Sequence, residues 1–292
     1  MRALLEIFSP DFLLRNSVYE SLLIGALCPL VGVFLVLRRM AFLGVALPQV
    51  SAAGIAFAFC LPALGFAGHG HAAHFEGDEQ LYALVGSMSF TLAAILLLAV
   101  LERRGRGWVE GRLSTIYVLA GAWSILLVAK NPIAERGLLN LLQGEIVAVS
   151  NFDLGLTGAV LGIVGVAMFM FRREFLLVSY DREMALTLHK RVVVWDLLLY
   201  LLIGGAISIA VLSSGPLVSF GFLVLPPLTA YQLANTMRQF SFLASAIGVM
   251  CALIGFCVAY RMDLPLGPVN VALLGLTYGA VFVLRRLLRS SP

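Results

Sequence analysis

The sequence predicts an all-α integral membrane protein, a bundle of about nine (eight to nine) transmembrane helices, and two observations support this. First, 61% of the 292 residues are hydrophobic and only 12% are charged, with a mean hydropathy of +0.98. A soluble domain would carry about 25% charged residues. Second, the apolar residues form nine stretches, each near the roughly 20 residues that a helix needs to cross a bilayer. Their approximate limits are 17–37, 43–66, 81–101, 113–129, 152–171, 193–212, 217–235, 241–260 and 268–286.

The distribution of positive charge predicts the orientation of these spans. If Arg38 and Arg39 are cytoplasmic and the spans alternate, fifteen of the 20 Lys and Arg residues lie inside. The five that remain outside are Arg2, Arg15, Lys130, Arg136 and Arg261. This bias follows the positive-inside rule and places the N-terminus outside and the C-terminus inside. If one apolar run is re-entrant, the count becomes eight and the N-terminal side changes.

The formal net charge of +4 is therefore interpreted as a topology signal, and no nucleic-acid partner is expected; the surrounding partner is membrane lipid. Residues 1–5 lack a compact apolar core followed by a small-residue cleavage site, so no signal peptide is expected. The four cysteines lie within apolar runs without a CxxC pattern, which favours small core residues over a disulfide or a zinc site.

Ionisable groups are scarce inside the predicted spans. Glu20, Asp153 and Asp196 lie near span ends, and no Asp, Glu, Lys, Arg or His is predicted at mid-depth. Ion-coupled carriers usually need such groups as relays, so this scarcity argues against a proton- or sodium-driven carrier.

Glycines recur at close helical spacing in the fifth predicted span. They are Gly155, Gly158, Gly162 and Gly165. Small residues at such spacing allow helix backbones to approach, so the pattern predicts tight helix packing without any chemistry of its own.

The domain organisation predicted from this pattern is a single transmembrane domain, 1–292. Segment 17–171 holds the first five spans, 172–192 is a charged cytoplasmic segment, and 193–292 holds the last four spans. The charged segment is interpreted as the docking surface of a cytoplasmic partner, and an ordinary helix-connecting loop is the alternative.

The predicted outer loop after the second span contains three of the four histidines, His69, His71 and His74, followed by three carboxylates. Imidazoles and carboxylates are ligands for zinc, nickel or copper, and a loop can gather them. Short His-rich tracts are only a compositional hint, so a metal-collecting loop and a solvated spacer both stay open. A second outer segment, 131–150, contains Glu145 and is mildly amphipathic; it could line the mouth of a pathway or simply pack.

Four stretches of the sequence resemble the metal-ion ABC transporter permeases that take up zinc and manganese. They are Cys28–Gly44, Leu142–Ser150, Gly215–Ala230 and Asp263–Pro268. They are spread over most of the chain, in the order and spacing of that family.

The resemblance implies a permease subunit that works as a homodimer in the bacterial inner membrane. The pathway would lie between the two copies, an ATP-binding cassette subunit would lie below each, and an extracytoplasmic solute-binding protein would deliver the metal ion. The sequence lacks a phosphate-cradling GxxxxGK[ST] loop, so ATP is expected on the partner chain; this chain is expected to be no enzyme and to bind no cofactor.

The resemblance also places the residues that would couple the chain to the ATPase subunit. The family's coupling helix falls on the charged segment, at Asp181, Arg182, Glu183, Ala185 and His189. The family usually has glycine near His189, so a different turn is possible there.

One departure from the family lies on the second span. Where the family commonly has Asp and, four residues later, His, this chain has Val45 and Gln49. Either fewer permease ligands meet the ion, or the cargo is not the usual free divalent metal. The residues predicted to line the pathway are Val45, Gln49, Ser51, Glu145 and Pro226.

The resulting functional hypothesis is the permease subunit of an ATP-driven importer for a divalent metal ion, zinc or manganese, or for a metal complex. The alternative is a permease of similar build for a non-metal cargo, such as an exporter-type or lipid-handling component. A neighbouring coding region for a metal-binding solute receptor would favour the first.

Overall fold

The computed structural model describes residues 14–60, 76–104, 109–129 and 149–289, and every regular element in these ranges is an α-helix. This confirms the predicted all-α fold class. The helices are α1 (Arg15–Leu37), α2 (Leu43–Cys60), α3 (Glu76–Arg104), α4 (Val109–Ala129), α5 (Asn151–Met170), α6 (Arg172–Tyr180), α7 (Arg182–Thr187), α8 (Val192–Leu233), α9 (Met237–Met262) and α10 (Leu266–Arg289).

Seven of the described helices are long and apolar enough to cross a membrane, namely α1, α2, α3, α5, α8, α9 and α10. In α4 the apolar part is the shorter run Gly111–Leu127. Helix α8 is exceptional because its 42 residues would span about 63 Å as one rod, twice the thickness of the hydrocarbon core.

Helix α8 reverses direction at Gly215, whose backbone is non-helical (φ 79°, ψ 166°). Glycine accepts this positive φ, and Pro216 suits the first turn of the helix that follows. Contacts with neighbouring helices show the reversal. The first half begins beside Arg38, at the end of α1, and approaches Glu20 near the start of α1 through Thr157. The second half then returns toward the Arg38 end.

The two halves of α8 therefore count as two passes. With α4, the described residues contain nine apolar helical segments, in agreement with the nine predicted stretches.

Further contacts with α1 show the direction of α5 and the position of α9. Helix α5 runs beside α1 in the same direction, since Asn16 donates to Asn151 Oδ1 (2.8 Å) at one end and Phe34 meets Phe175, just beyond α5, at the other. Helix α9 packs on α1 through Gly25. The Arg38 end of α1 thus shares its level with α6, α7 and the start of α8, which is the cytoplasmic level in the predicted orientation.

The closest helix contacts occur at glycines of α1, α2 and α9. A Cβ built on Gly32 would lie 1.8 Å from the Leu223 carbonyl oxygen, and one on Gly248 would lie 2.0 Å from the Gly25 carbonyl oxygen. Between α2 and α3, a Cβ on Gly54 would lie 2.5 Å from the Gly86 carbonyl oxygen. Backbones at these crossings touch directly, so any side chain would separate them.

The glycine stripe of α5 behaves differently from the prediction. A Cβ on Gly165 would meet Leu27 at 2.9 Å, and one on Gly158 would be in ordinary contact with Leu23 at 3.7 Å. At Gly155 and Gly162 it would meet nothing within 4 Å. The predicted tight packing is therefore wrong for half of this stripe within the chain, because these two residues face away from α1.

Candidate functional site

The predicted cytoplasmic segment, 172–192, contains two short helices, α6 and α7, between the spans α5 and α8. Helix α7 begins after Asp181, whose carboxylate accepts a hydrogen bond from the Met184 N–H (2.9 Å). Such an N-cap satisfies a free backbone donor, and the acidic Glu183 in the first turn favours the positive end of the helix dipole. Ala185 is fully buried and fastens α7 to Val178 and Val192.

A left-handed residue closes the turn after α7. His189 has φ 54°, its N–H donates to the Leu186 carbonyl (3.0 Å), and the Lys190 N–H donates to the Ala185 carbonyl (3.1 Å). This pair of bonds is a Schellman motif, in which glycine is the usual left-handed residue. The helix thus ends with the geometry that glycine favours, although the residue is histidine.

The outward surface of α7 combines charge with exposed apolar groups. Met184, Leu186 and Leu188 are each more than half exposed, and Asp181 and Glu183 are exposed beside them. The Arg182 side chain lies outside the described side chains. A mixed apolar and charged patch on a segment between spans suits contact with another protein better than contact with water alone.

Helix α6 is anchored to the spans by an aromatic cluster, defined here as Phe34, Phe171, Phe175 and Trp195. Phe175 is fully buried and meets Phe34 and Trp195 edge to face, with ring centroids 6.0 Å apart in both pairs. Phe171 and Trp195 lie 5.4 Å apart. These contacts attach α6 to the end of α1 and to the start of α8.

An ion pair lies next to this cluster and was not predicted from the sequence. Arg38 Nη2 contacts Asp196 Oδ1 at 2.7 Å, and Arg38 Nε donates to Ser179 Oγ at 3.0 Å. The guanidinium also lies over the Tyr200 ring, 5.2 Å from its centroid. The available signal was a lone carboxylate near the start of an apolar span, but its partner is 158 positions away.

The predicted pathway residues of α2 divide between two environments. Val45 and Gln49 are four residues apart, share one face of α2, and are both half-buried. The Gln49 amide packs against α4, since a Cβ on Gly121 would lie 3.3 Å from its Nε2. Ser51 is instead fully buried against α3, where its Oγ lies 2.6 Å from Ser87 Oγ.

Of the other residues predicted for the pathway and for metal binding, the structure describes Pro226 alone. Pro226 is buried within the second half of α8. Glu145 and the three histidines His69, His71 and His74 lie outside the described residues. Among the residues described, no group of three or more His, Cys, Asp and Glu could hold a metal ion.

A second polar cluster missed by the sequence analysis surrounds Glu20. This carboxyl is 1% exposed and accepts a hydrogen bond from Thr157 Oγ1 (3.0 Å), which lies 2.9 Å from Ser213 Oγ. The sequence predicted only that Glu20 lies near a span end. In the structure it joins α1 and α5 to the reversal of α8, which is the opposite end of the bundle from Arg38.

Comparisons with known proteins agree with this architecture. The chain is 25% identical over 284 residues to the "Probable iron transport system membrane protein" of Haemophilus influenzae, covering 96% of this chain and 92% of the relative. It is 25% identical over 256 residues to the manganese import system permease protein ScaB of Streptococcus parasanguinis, covering 87% and 84%.

The fold is also similar to a solved structure, PsaBC from Streptococcus pneumoniae in complex with Fab. The TM-score is 0.78 at 22% identity, and the match covers 93% of this chain and 92% of that one. The apolar helices and these relatives indicate a multi-pass protein of the bacterial plasma membrane. The profile of the ABC 3 transport family matches residues 11–285, and the chain therefore belongs to that family.

Proposed function

We propose that the chain is the membrane-spanning permease subunit of an ATP-driven importer for a divalent transition-metal ion. The observation that carries this proposal is the segment α6–α7, a capped and partly apolar surface fastened to the cytoplasmic ends of α1 and α8. A separate ATP-binding cassette subunit would press on this surface, with Asp181, Arg182, Glu183, Ala185 and His189 at or beside the contact. In this assignment the whole chain is one transmembrane domain, and 172–192 is its coupling segment.

The proposed working unit is a homodimer with the pathway between the two copies. Ser51, on the other side of α2, is buried against α3, and the Gln49 amide packs against α4. A second copy would therefore meet the part of the Val45 and Gln49 face that α4 leaves half-exposed. A solute-binding protein would deliver the ion from outside, and ATP would be hydrolysed on the partner subunit, so this chain would be a transport subunit without enzymatic activity of its own.

The ligands on this face favour weak, oxygen-based contact with the ion. The Gln49 amide offers a neutral oxygen, and Pro48 lacks the N–H that would bond the Gly44 carbonyl. Carbonyl oxygens suit manganese better than the softer metals, and neutral ligands release an ion more readily than a carboxylate does. The relatives named for manganese and iron support a metal cargo of this kind. The names of these relatives do not favour the alternative, a lipid or an exported cargo.

The direct test is uptake by the reconstituted complex. The permease, its ATPase subunit and its solute-binding protein are co-purified in lipid, and uptake of manganese, iron and zinc is measured one metal at a time. We expect ATP-dependent accumulation of manganese. A partner ATPase that binds ATP without hydrolysing it is the control. If no metal accumulates above that control, the proposal is wrong.

A further inference from the structure

Arg38 joins three helices at the cytoplasmic end of the bundle. It is the residue that directly follows α1, its Nη2 pairs with Asp196 of α8, and its Nε donates to Ser179 of α6. The Arg38 and Asp196 side chains are only 10% and 16% exposed. The pair is therefore largely removed from water, and loss of either partner would leave a poorly solvated charge.

The position of Ser179 places this pair beside the proposed contact with the ATPase subunit. Ser179 lies one residue before the end of α6 and two residues before Asp181, the cap of α7. Ser179 therefore adjoins α7, and its bond to Arg38 is one route by which a displacement of α7 could reach the spans.

On the other side of the pair, the connection continues to the turn that leads into α2, the helix that carries Val45 and Gln49. Arg39 adopts a left-handed turn (φ 56°) that leads from α1 toward α2. Tyr200, under the Arg38 guanidinium, donates its hydroxyl to Met40 Sδ (3.7 Å) within this turn. Tyr200 thus links this turn to Arg38, the residue that holds Ser179.

We infer that the Arg38–Asp196 pair, with Ser179, is the joint that transmits movement of α7 to α2 and α8, and that it couples ATP hydrolysis to transport. The inference rests on the proposed importer function and adds its transmission residues. Arg38, Asp196 and Ser179 are positioning residues, since none of them touches the cargo or ATP. The aromatic cluster of Phe34, Phe171, Phe175 and Trp195 keeps α6 attached when the polar joint is lost, so the fold and the docking surface should persist.

Two variants separate coupling from folding. Ser179→Ala removes the bond to α6 and leaves the buried ion pair intact. Asp196→Asn removes the charge and keeps an oxygen that can accept from Arg38. Arg285→Gln is the control, because Arg285 is exposed on α10 and takes part in none of the contacts of the joint given above.

Each variant is reconstituted with the ATPase subunit and the solute-binding protein, and three quantities are measured. These are the amount of ATPase subunit that co-purifies, the ATP hydrolysis rate, and the number of metal ions imported per ATP. Coupling free energies between sites commonly correspond to about 5- to 150-fold effects. We expect Asp196→Asn to lower ions imported per ATP about tenfold and Ser179→Ala to lower it about fivefold, both with unchanged co-purification.

The outcomes distinguish this inference from the proposed function. If the wild-type complex imports no metal, the importer function fails first. If the wild type imports metal and both variants import as many ions per ATP as Arg285→Gln does, the joint does not transmit movement and the inference is overturned. It is also overturned if both variants lose the ATPase subunit in proportion to transport, because the residues would then serve docking alone.

Discussion

The contact between α1 and the second half of α8 leads to a prediction for Gly32→Ala. A Cβ at this position would lie 1.8 Å from the Leu223 carbonyl oxygen and 2.9 Å from Pro227 Cγ. An ordinary carbon–oxygen contact needs about 3.4 Å, so the two helices would have to separate by roughly 1.5 Å. Neither obstacle can rotate away, because one is backbone and the other is a proline ring.

The cost follows from this rigidity. Overpacking a filled interior costs about 1–3 kcal/mol, and the upper end applies here because two helices must shift as bodies. For a protein of this size, about 1 kcal/mol changes Tm by roughly 2–4 °C, so we expect Gly32→Ala to lower Tm by about 6–12 °C. The control is Gly162→Ala, where a Cβ meets nothing within 4 Å. Alanine there should stabilise the helix by about 0.5–1 kcal/mol.

Thermal unfolding of the purified protein is measured in one detergent. The readout is the loss of the monodisperse peak on size-exclusion chromatography. Gly32→Ala should unfold well below the wild type, and Gly162→Ala should unfold at or above it. Equal Tm values for Gly32→Ala and the wild type would mean that α1 and the second half of α8 do not pack backbone to backbone, and the reasoning would be refuted.

Three further predictions concern α7 and the pathway face. Asp181→Lys should weaken co-purification of the ATPase subunit, because it removes both the N-cap and the negative charge. Asp181→Asn keeps a hydrogen-bond acceptor and should weaken co-purification less. Equal co-purification of the wild type and both variants would mean that α6–α7 is only a connecting segment. His189→Gly should leave ATPase association intact and raise stability by about 1 kcal/mol in thermal unfolding, since φ 54° is costly for histidine; a lower Tm would contradict the left-handed turn. Val45→Asp with Gln49→His should create measurable zinc or manganese binding in the isolated permease and slow transport, because a carboxylate and an imidazole four residues apart can share one cation; binding no tighter than wild type would mean that this face is not on the pathway.

Much of the fold could be predicted because hydropathy is a local property of the chain. A helix in lipid must satisfy its own backbone and present apolar side chains, so each span is visible as an apolar stretch of a set length. The same locality made the charged segment before α8 recognisable. Asp181, which caps α7, stands immediately before that helix in the sequence. The predicted outer histidines and Glu145 stay predictions, as they lie outside the described residues.

The candidate site was predicted less completely, because contacts between distant segments leave no local pattern. Val45 and Gln49 share a face, as their spacing required, but Ser51 belongs to a buried pair with Ser87 of α3. The α5 glycines suggested tight packing, yet the closest backbone contacts occur at glycines of other helices, Gly32, Gly54 and Gly248. Which glycine meets a backbone depends on how helices cross, and that depends on every neighbour at once.

The sequence by itself determined the class of protein, the positions of the apolar segments and the charged segment between them, because solvent preference acts residue by residue. The tertiary structure alone decided that Glu20 meets Thr157 beside the Gly215 turn and that Arg38 pairs with Asp196. Each of these contacts joins residues brought together only by helix packing. The physical reason is that an ion pair or a backbone contact requires a distance of a few ångström, and such distances between remote segments exist only once the bundle has assembled.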